Sequence, residues 1–531
     1  MQLHPDRGRF VELLERTGAA VLCASFLTDT LTPLVALNRL GPHPLGRFLL
    51  ESADHGGRLG RFSFVGSGGA ALVAFEEGLA RVYEAGEGGA PLVETERRAV
   101  ADPIAYLRDR WRALELPESA VRELLAPLFP HTDDVPPFVG GAVGFFGYDL
   151  VRTIEPLGPG RPATLPGWMG AYLLADAVVV FDHFRGTGYL LTLARRRPGE
   201  TARQAHDRAA GRLQAMWERL AMPSNGDPGP AFAQAGAAPG RLEGGPPGLE
   251  EEDPAFEAAV RQARRHIEAG DVFQVVLSRE VVAPCRRPPL EVFRHLRAIN
   301  PSPYMFYLEI PDPRPGSPGP LHLVGASPEV MVRSQQERAM LRPIAGTRPR
   351  GRDAAEQARL ESELASDPKE LAEHMMLVDL GRNDLGRVCR YGTVEVPRLL
   401  EIERYSHVTH LVSQVQGVLR PGQDAFDLLR ATFPAGTVTG APKVRAMQVI
   451  DALEASGRGP YAGTVGYFSA SGNADHCITI RTLAIHGERA VVRAGAGIVA
   501  DSDPRRELRE TQHKARAMLS ALAATGEGHA G

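Results

Sequence analysis

The second half of this chain contains β-rich runs that do not alternate regularly with helical segments. Such runs occupy residues 321–332, 408–418, 464–470 and 490–499. Regular alternation of strands and helices is the pattern of a doubly wound parallel sheet. The uneven mixture seen here instead predicts an α+β fold with mixed or mostly antiparallel sheets.

A Gly-, Pro- and Ala-rich stretch interrupts the chain at residues 223–254 and ends in an acidic run. Such a composition buries too little apolar surface to offset the entropy lost on ordering, so we expect a flexible linker. It would separate an N-terminal region, residues 1–222, from a C-terminal region, residues 255–525. Helices are predicted on both sides of it, over residues 201–222 and again from Asp253.

Composition excludes several classes of protein. The chain has 531 residues, 43% of them hydrophobic, which suffices for a large core. A formal net charge of −4 gives no field for holding nucleic acid or an anionic membrane. No apolar run reaches the roughly 18 residues of a membrane span, and the first residues lack the pattern of a signal peptide. The four cysteines show no Cys-x-x-Cys spacing, so no zinc site or disulfide framework is indicated. We expect a cytoplasmic protein without nucleic-acid or membrane partners.

A predicted helix near the C-terminus presents two acids and a lysine on one face. Asp503 can cap this helix, and Pro504 suits its first turn because that position needs no N–H donor. Glu507, Glu510 and Lys514 then recur at spacings of three and four residues. The two carboxylates are candidate metal ligands.

A second predicted helix carries another acidic pair with the same spacing. Glu370 and Glu373 follow a possible cap at Asp367. If the two helices face each other, their four carboxylates provide the all-oxygen donor set that Mg²⁺ prefers. The sequence therefore predicts a magnesium site that an anionic ligand would complete.

Each acidic pair also has a purely structural interpretation. Asp367 and Glu370 fit a capping box, and the C-terminal pair could form a solvated face paired with Lys514 and Arg506. The largely apolar residues after Glu373 indicate, however, that this helix is buried. Because buried carboxylates must be paired, hydrogen-bonded or metal-bound, the metal hypothesis is favoured.

Two glycine-rich segments and one arginine could receive a small anion. Residues 433–443 (FPAGTVTGAPK) are not a P-loop, because Ala-Pro-Lys follows the second glycine. Residues 493–498 (RAGAGI) let the backbone approach a ligand closely. Arg481, predicted on a half-buried strand, suits bidentate capture of a carboxylate. Ordinary turns, strands and a structural ion pair are the alternatives.

Several long motifs occur together and in one order. They are residues 343–348 (PIAGTR), 373–384 (EHMMLVDLGRND), the loop 433–443, and 495–499 (GAGIV). With these motifs the chain resembles the large, aminating subunit (component I) of anthranilate synthase, in the family of chorismate-utilising enzymes. The resemblance covers the whole chain and is strongest from residue 253 to residue 521. It implies large, mostly antiparallel sheets that form a β-sandwich core flanked by helices.

The resemblance implies amination of chorismate at C2 by ammonia, then pyruvate elimination to give anthranilate, the first step of tryptophan biosynthesis. Glu329 matches the general acid that protonates the departing C4 hydroxyl, His410 the histidine that assists elimination, and Lys514 a further catalytic residue. The implied Mg²⁺ ligands are Glu373 and Glu510 directly, and Glu370 and Glu507 through water. The implied substrate contacts are Gly346, Thr347, Thr437, Tyr461, Arg481, Gly495 and Gly497.

Two positions separate this chain from relatives with different chemistry. Isochorismate and salicylate synthases place a lysine where Gln274 stands, and glutamine is no base for activating water. Many aminodeoxychorismate synthases carry a lysine in place of Ala345, and alanine cannot be a nucleophile. Ammonia is therefore the expected attacking species.

Two alternatives stay open. Aminodeoxychorismate synthase component I, of the folate pathway, is the alternative among enzymes. A non-catalytic ligand sensor with the same fold is the alternative from another class, although the four acids, Glu329, His410 and Lys514 argue against it. No Gly-x-Cys-x-Gly glutaminase motif occurs. We therefore expect ammonia from a separate glutamine amidotransferase subunit (component II) in a hetero-oligomer.

The resemblance also implies feedback inhibition by tryptophan through the N-terminal region. Residues 49–53 (LLESA) resemble the family's inhibitor motif, together with residues 300–306 (NPSPYMF). An ordinary turn and core strand are the alternative. The glycine-rich stretch at residues 54–61 departs from the family pattern, so the basic contact is open between Arg58 and Arg61. The expected inhibitor contacts are Leu50, Glu51, Ser52, Pro303, Tyr304, Met305, Val465 and Tyr467.

Overall fold

The computed structural model describes residues 1–52, 60–86, 91–129, 131, 134–165, 167–223, 252–405 and 408–523. Nearly all of the predicted linker, and Arg58, lie outside the described residues. Within the described ranges, no helix combines the length and apolar character that a membrane crossing requires.

The helices of the described residues fall on both sides of the predicted linker. In chain order they are α1 Arg7–Thr17, α2 Pro33–Leu40, α3 Pro103–Trp111, α4 Glu118–Leu125, α5 Ala202–Ala221, α6 Pro254–Glu268, α7 Pro289–Ile299, α8 Ala354–Ser366, α9 Pro368–Gly386, α10 Ala425–Thr432, α11 Lys443–Leu453 and α12 Pro504–Ala523.

Among the described residues, the strands of ten residues or more all lie in the C-terminal half. They are β1 Ala19–Leu27, β2 Arg47–Glu51, β3 Phe62–Ser67, β4 Ala71–Glu76, β5 Leu79–Glu84, β6 Val93–Ala99, β7 Gly141–Phe146, β8 Gly170–Ala175, β9 Ala177–Asp182, β10 Thr187–Arg195, β11 Gln274–Pro284, β12 Tyr304–Ile310, β13 Leu321–Ser327, β14 Val330–Gln335, β15 Arg338–Leu341, β16 Ile344–Pro349, β17 Glu395–Arg404, β18 Val408–Val418, β19 Gly440–Ala441, β20 Thr464–Ser469, β21 Ala474–Ile478, β22 Thr482–His486 and β23 Arg489–Ile498.

These strands form two large antiparallel sheets. Sheet I has the order β1-β10-β9-β3-β2-β12-β13-β22-β23-β11-β19. Sheet II has the order β16-β18-β15-β14-β21-β20-β7-β8-β4-β5-β6, with β17 pairing β18. The sheets contact each other through side chains such as Phe64 and Tyr467, whose rings meet edge-to-face at 5.7 Å. The predicted α+β fold with large, mostly antiparallel sheets is confirmed.

Both sheets combine strands from the two sides of the predicted linker. In sheet I, β2 pairs with β12, so that Glu51 lies opposite Met305. In sheet II, β7 pairs with β20, and Val465 lies opposite Phe145. The described residues on the two sides of the linker are therefore interleaved in space. A separate regulatory role for the N-terminal region stays a prediction.

The local signals at helix starts act as the sequence predicts. Thr201 forms a capping box with Gln204 at the start of α5, and the Asp253 side chain accepts the Phe256 N–H at the start of α6. The predicted run at 408–418 coincides with β18. The run at 321–332 is divided into β13 and β14 around Pro328, which has no N–H to donate to a sheet.

The core extends between the sheets, and helices cover their outer sides. Helix α5 packs on β10, and α9 packs on β16 and β18. A smaller apolar cluster forms where α6, α11 and α12 cover β11 and β23. This second cluster fixes α12 against the two strands that carry Gln274 and the glycines at 495 and 497.

Candidate active site

The acidic face of α12 turns towards strand β23. Glu507 is buried, whereas Glu510 is half-exposed. The Lys514 ammonium binds Oε1 of Glu510 at 2.7 Å and donates to the Gly495 carbonyl oxygen at 2.9 Å. The helix thus places two acids and a lysine beside the predicted anion loop.

Helix α9 holds its own acidic pair by contacts with two other elements. Asp367 caps the helix by accepting two N–H groups. The Glu370 side chain, instead of reaching back to the cap, binds Arg348 Nη1 at 3.0 Å, and Arg348 also binds Asp367 at 2.9 Å. Oε1 of Glu373 accepts a hydrogen bond from Gln274 Nε2 at 2.8 Å. The carboxylate of Glu373 therefore contacts the first residue of β11.

The starts of α9 and α12 lie close enough for their charges to interact. Burial and the charge of Glu510 raise the pKa of Glu507, against the influence of the Ser502 hydroxyl and of Lys369 and Lys514. Lys369 belongs to α9, so it links the two helices. Across the described ranges, no three His, Cys, Asp or Glu side chains converge as a metal site. The four acids fit a hard cation by donor type, while Lys514 pairs with Glu510 and Arg348 pairs with Glu370.

Two glycines of β23 leave room for polar side chains from neighbouring elements. A Cβ at Gly495 would lie 2.5 Å from the Tyr461 hydroxyl oxygen. A Cβ at Gly497 would lie 2.8 Å from Gln274 Nε2. A side chain at either position would have to displace Tyr461 or Gln274, and the close approach of a ligand to this backbone stays a prediction.

Arg481 was predicted on a strand, and the structure shows that this is wrong. It lies between β21 of sheet II and β22 of sheet I, where the chain crosses between sheets, with φ at 52°. A non-glycine residue there is strained, which is typical of functional sites. Its Nη1 donates to the Lys514 carbonyl oxygen at 3.2 Å. Burial lowers the pKa of Arg481, against the charges of Tyr461 and Glu510. In the described part of the chain, no carboxylate forms a salt bridge with this guanidinium.

Glu329 lies at the corresponding crossover from β13 to β14. Its backbone oxygen accepts the Ile478 N–H at 3.0 Å. The side chain is 8% exposed. Burial raises the pKa of Glu329 to about 8, against the Thr437 hydroxyl and the Lys514 charge. This carboxyl group is therefore protonated at neutral pH and can donate a proton.

Thr437 stands in a short 3-10 turn next to Glu329. Its hydroxyl oxygen is buried and has no hydrogen bond of standard geometry to the described residues. Glu329 and Thr437 line a cavity of about 50 Å³ together with Leu377 and Leu380 of α9. A buried polar atom without a partner calls for a ligand or water.

His410 lies beside residues 346–347, where strand β16 has an irregular register with β18. The Gly346 carbonyl oxygen lies 3.0 Å from His410 Nδ1, and the Thr347 hydroxyl oxygen lies 3.1 Å away. Because a carbonyl oxygen can only accept, the proton is assigned to Nδ1, which leaves the lone pair on Nε2. Burial lowers the pKa of His410, and the charge of Arg481 lowers it further, while the Gly346 bond and Glu403 oppose this. The imidazole is a neutral base.

The eight predicted inhibitor contacts surround one cavity of about 200 Å³, away from these residues. Arg61 also lines this cavity, where Asp134 and Asp182 hold its guanidinium. At its floor, Asp475 accepts the Tyr304 hydroxyl at 2.8 Å. The cavity offers aromatic walls with charges of both signs at its rim.

Sequence reasoning missed the residues that hold the site from behind. Arg348 was noticed only as part of a motif, and Gln274 only as a point of difference from relatives. Glu454 and Arg458 were not noticed, and Arg493 was noticed only as the first residue of the glycine-rich segment 493–498. The spacing of four between Glu454 and Arg458 was a signal for the ion pair, but its contact with Arg493 is 39 residues away in sequence.

Known proteins match this chain over most of its length. The family model for chorismate binding enzymes matches residues 86–520. Anthranilate synthase component 1 of Streptomyces coelicolor is 42% identical over 527 residues, covering 98% of this chain and 92% of that protein. The Aquifex aeolicus protein of the same name is 39% identical, covering 96% of each chain. The crystal structure of anthranilate synthase component I from Streptococcus pneumoniae has a TM-score of 0.66 and 32% identity, covering 86% of this chain and 92% of that one. The chain therefore belongs to the chorismate-binding enzyme family, among the proteins named anthranilate synthase component 1.

Proposed function

We propose that this chain is the aminating component of an anthranilate synthase. It adds ammonia to C2 of chorismate and then eliminates pyruvate to give anthranilate, the first step of tryptophan biosynthesis. The main support for the proposal is that a proton donor and a proton acceptor occur in the same site. A buried glutamic acid that is protonated at neutral pH (Glu329) and a neutral histidine base (His410) both interact with the charged residues around Arg481 and Lys514.

The predicted substrate contacts supply the positive charge, the hydroxyl groups and the open backbone that chorismate binding requires. Arg481 carries a buried positive charge for a carboxylate of chorismate. The buried Thr437 hydroxyl supplies a donor beside Glu329. Gly495 and Gly497 let the ring approach the backbone of β23, and Tyr461 closes the wall. Gly346 and Thr347 complete this set beside His410.

Amination requires an acid at the C4 hydroxyl. Glu329 donates its proton to that oxygen, the C4–O bond breaks, and water leaves. The nitrogen lone pair of ammonia forms the bond to C2 as the ring double bonds shift towards C4. Lys514, which lowers the pKa of Glu329, stabilises the carboxylate that forms.

Elimination requires a base. Nε2 of His410 takes the proton from C2, the C3–O bond breaks, and the three-carbon group leaves as enolpyruvate, which is protonated at its methylene carbon to pyruvate. The bond from Nδ1 to Gly346 holds the ring in the tautomer that this step needs.

The acids fit Mg²⁺ by donor chemistry. Glu373 and Glu510 would hold it directly, and Glu370 and Glu507 through water. When bound, the ion supplies positive charge to a substrate carboxylate and to the electron density that moves towards the leaving group. Arg348 and Lys514 pair with Glu370 and Glu510, and the ion would add further positive charge beside the anionic substrate.

The same proposal includes the partners of the chain. Ammonia comes from a separate glutamine amidotransferase subunit, because the sequence contains no glutaminase nucleophile motif. Tryptophan binds the 200 Å³ cavity and inhibits. We place the resulting hetero-oligomer in the cytoplasm.

One assay tests the reaction. The purified chain is given chorismate, Mg²⁺ and ammonium at alkaline pH, and both anthranilate fluorescence and chorismate consumption are followed. Fluorescence supports the proposal. Consumption without fluorescence would indicate an aminodeoxychorismate synthase, and absence of consumption a ligand-sensing subunit.

A further inference from the structure

Three charged side chains form a buried network behind the active site. The side chains of Arg458, Arg493 and Glu454 are 1%, 4% and 5% exposed. Arg458 binds Glu454 through Nε at 3.0 Å and Nη2 at 2.7 Å. Arg493 Nη2 binds the same carboxylate at 3.0 Å. Ser278 joins the network, because its hydroxyl lies 2.8 Å from both Glu454 and Arg493 Nε.

Arg458 also holds two backbone segments of the site. Its Nη1 donates to the Val438 carbonyl oxygen at 2.7 Å, and its Nη2 donates to the Val276 carbonyl oxygen at 2.8 Å. Val438 follows Thr437 directly, and Val276 lies two residues after Gln274. The guanidinium therefore sets the distance between the Thr437 turn and strand β11.

The network also contacts strand β23 and Tyr461. Arg493 lies on β23 two residues before Gly495 and donates to the Gly457 carbonyl oxygen at 2.8 Å. The Arg458 guanidinium also lies 5.6 Å from the centre of the Tyr461 ring. These contacts connect the Thr437 turn, strand β11, the segment 457–461 and strand β23, and all of these except β11 carry proposed substrate contacts.

Stability alone does not account for such a network. Burying two arginines and a glutamate costs desolvation free energy, and well-packed apolar side chains of similar volume often stabilise a protein as well. What an apolar cluster cannot provide is a rigid, planar set of donors that spans two carbonyl groups. The network is suited to fixing geometry.

We propose that Arg458, oriented by Glu454 and Arg493, is a positioning residue for the amination of chorismate. It holds the Thr437 turn against β11 so that the substrate lies in line with the acid. The inference rests on the function proposed above. A displacement of about 1 Å at a reacting centre costs roughly 100-fold in rate.

The test compares the same substitution at two arginines that each bind a carboxylate. Arg458→Lys keeps the charge but cannot span both carbonyls. Arg152→Lys is the matched control, because Arg152 is another arginine with carboxylate partners: it is 14% exposed and binds Asp149 at 3.0 Å and Asp451 at 2.8 Å. Neither partner is among the proposed substrate contacts.

We expect both variants to lower the melting temperature by similar amounts. Only Arg458→Lys should raise the KM for chorismate and lower kcat/KM, by roughly 10- to 100-fold. Equal kcat/KM values for folded Arg458→Lys and Arg152→Lys would overturn the inference while the proposed function stands. A wild-type chain that forms no anthranilate would overturn both.

A gentler variant decides the matter if Arg458→Lys does not fold. Ser278→Ala removes a hydroxyl that bridges Glu454 and Arg493 but leaves every charge in place. We expect a smaller change in kcat/KM in the same direction, with KM rising. Unchanged kinetic constants in Ser278→Ala would then count as refutation.

Discussion

The side-chain amide of Gln274 donates a 2.8 Å hydrogen bond to Oε1 of Glu373, and so connects strand β11 with helix α9. The bond sets the plane of this carboxylate without neutralising it. A lysine in the same place would form a salt bridge and compete with a bound cation. Gln274 thus has two consequences for the site: it provides no base, and it orients a candidate Mg²⁺ ligand.

Removal of this amide should weaken metal binding. In Gln274→Leu, Glu373 loses the donor that orients it, and we expect the Mg²⁺ affinity to fall by about 10- to 100-fold. Titration calorimetry with Mg²⁺, with chorismate present, measures this directly. Gln416→Leu is the control, because Gln416 binds Glu395 in the same way on β18. Equal affinities in both variants would contradict the orienting role.

Loss of the Glu510 carboxylate on α12 should weaken Mg²⁺ binding more than loss of the Gln274 amide. Glu510→Gln removes one of the two expected direct ligands and leaves the positive charge of Lys514 uncompensated. We expect Mg²⁺ binding and turnover to be lost. Glu268→Gln, which breaks an exposed pair with Arg264 at the same helical spacing, should change neither. Wild-type rates in Glu510→Gln would refute the metal assignment.

The raised pKa of Glu329 predicts a specific pH dependence. Because its folded-state value is about 8, the acid form is present at neutral pH and disappears as the pH rises through that value. At a fixed concentration of free ammonia, kcat should therefore fall on the alkaline side. Glu329→Gln should lower kcat by roughly 10²- to 10⁴-fold.

The variant also provides the control for this pH profile. Glutamine keeps the shape of the side chain but cannot donate a proton at any pH in this range. The residual activity of Glu329→Gln should show no alkaline fall near pH 8. The same alkaline fall in wild type and variant would assign it to another group.

Local sequence signals predicted the parts of the site that depend on neighbours in the chain. Asp503 caps α12 through the Arg506 N–H at 2.9 Å, as its position before Pro504 indicated. The strand predicted through Arg481 is absent, because the chain changes sheets there. Apolar periodicity cannot show which sheet a strand joins, since that depends on partners far away in sequence.

The same limit applies to the charged residues. A spacing of three or four residues shows which face of a helix carries Glu370, but not that Arg348 will occupy it. The sequence could not predict that the two halves interleave, because the composition of residues 223–254 predicts only a linker and says nothing about which strands pair. The motifs placed the site residues in the sequence, and the two crossovers between sheets bring them together.

His410 should control the second half of the reaction. In His410→Ala the base at Nε2 is lost, whereas Glu329 and the metal ligands remain. We expect chorismate to be consumed with little anthranilate fluorescence, so that the aminated, unaromatised product accumulates. Chromatography with mass detection identifies this product. Loss of both steps in His410→Ala would assign His410 to amination.

Tryptophan inhibition should depend on Ser52 at the rim of the 200 Å³ cavity. An arginine there projects a long cation into the space for the indole, so Ser52→Arg should need much more tryptophan for half-inhibition while the uninhibited rate changes little. Inhibition curves of anthranilate formation measure this. Ser25→Arg, an exposed position on β1, is the control and should retain wild-type sensitivity. Undiminished inhibition of Ser52→Arg would place the tryptophan site elsewhere.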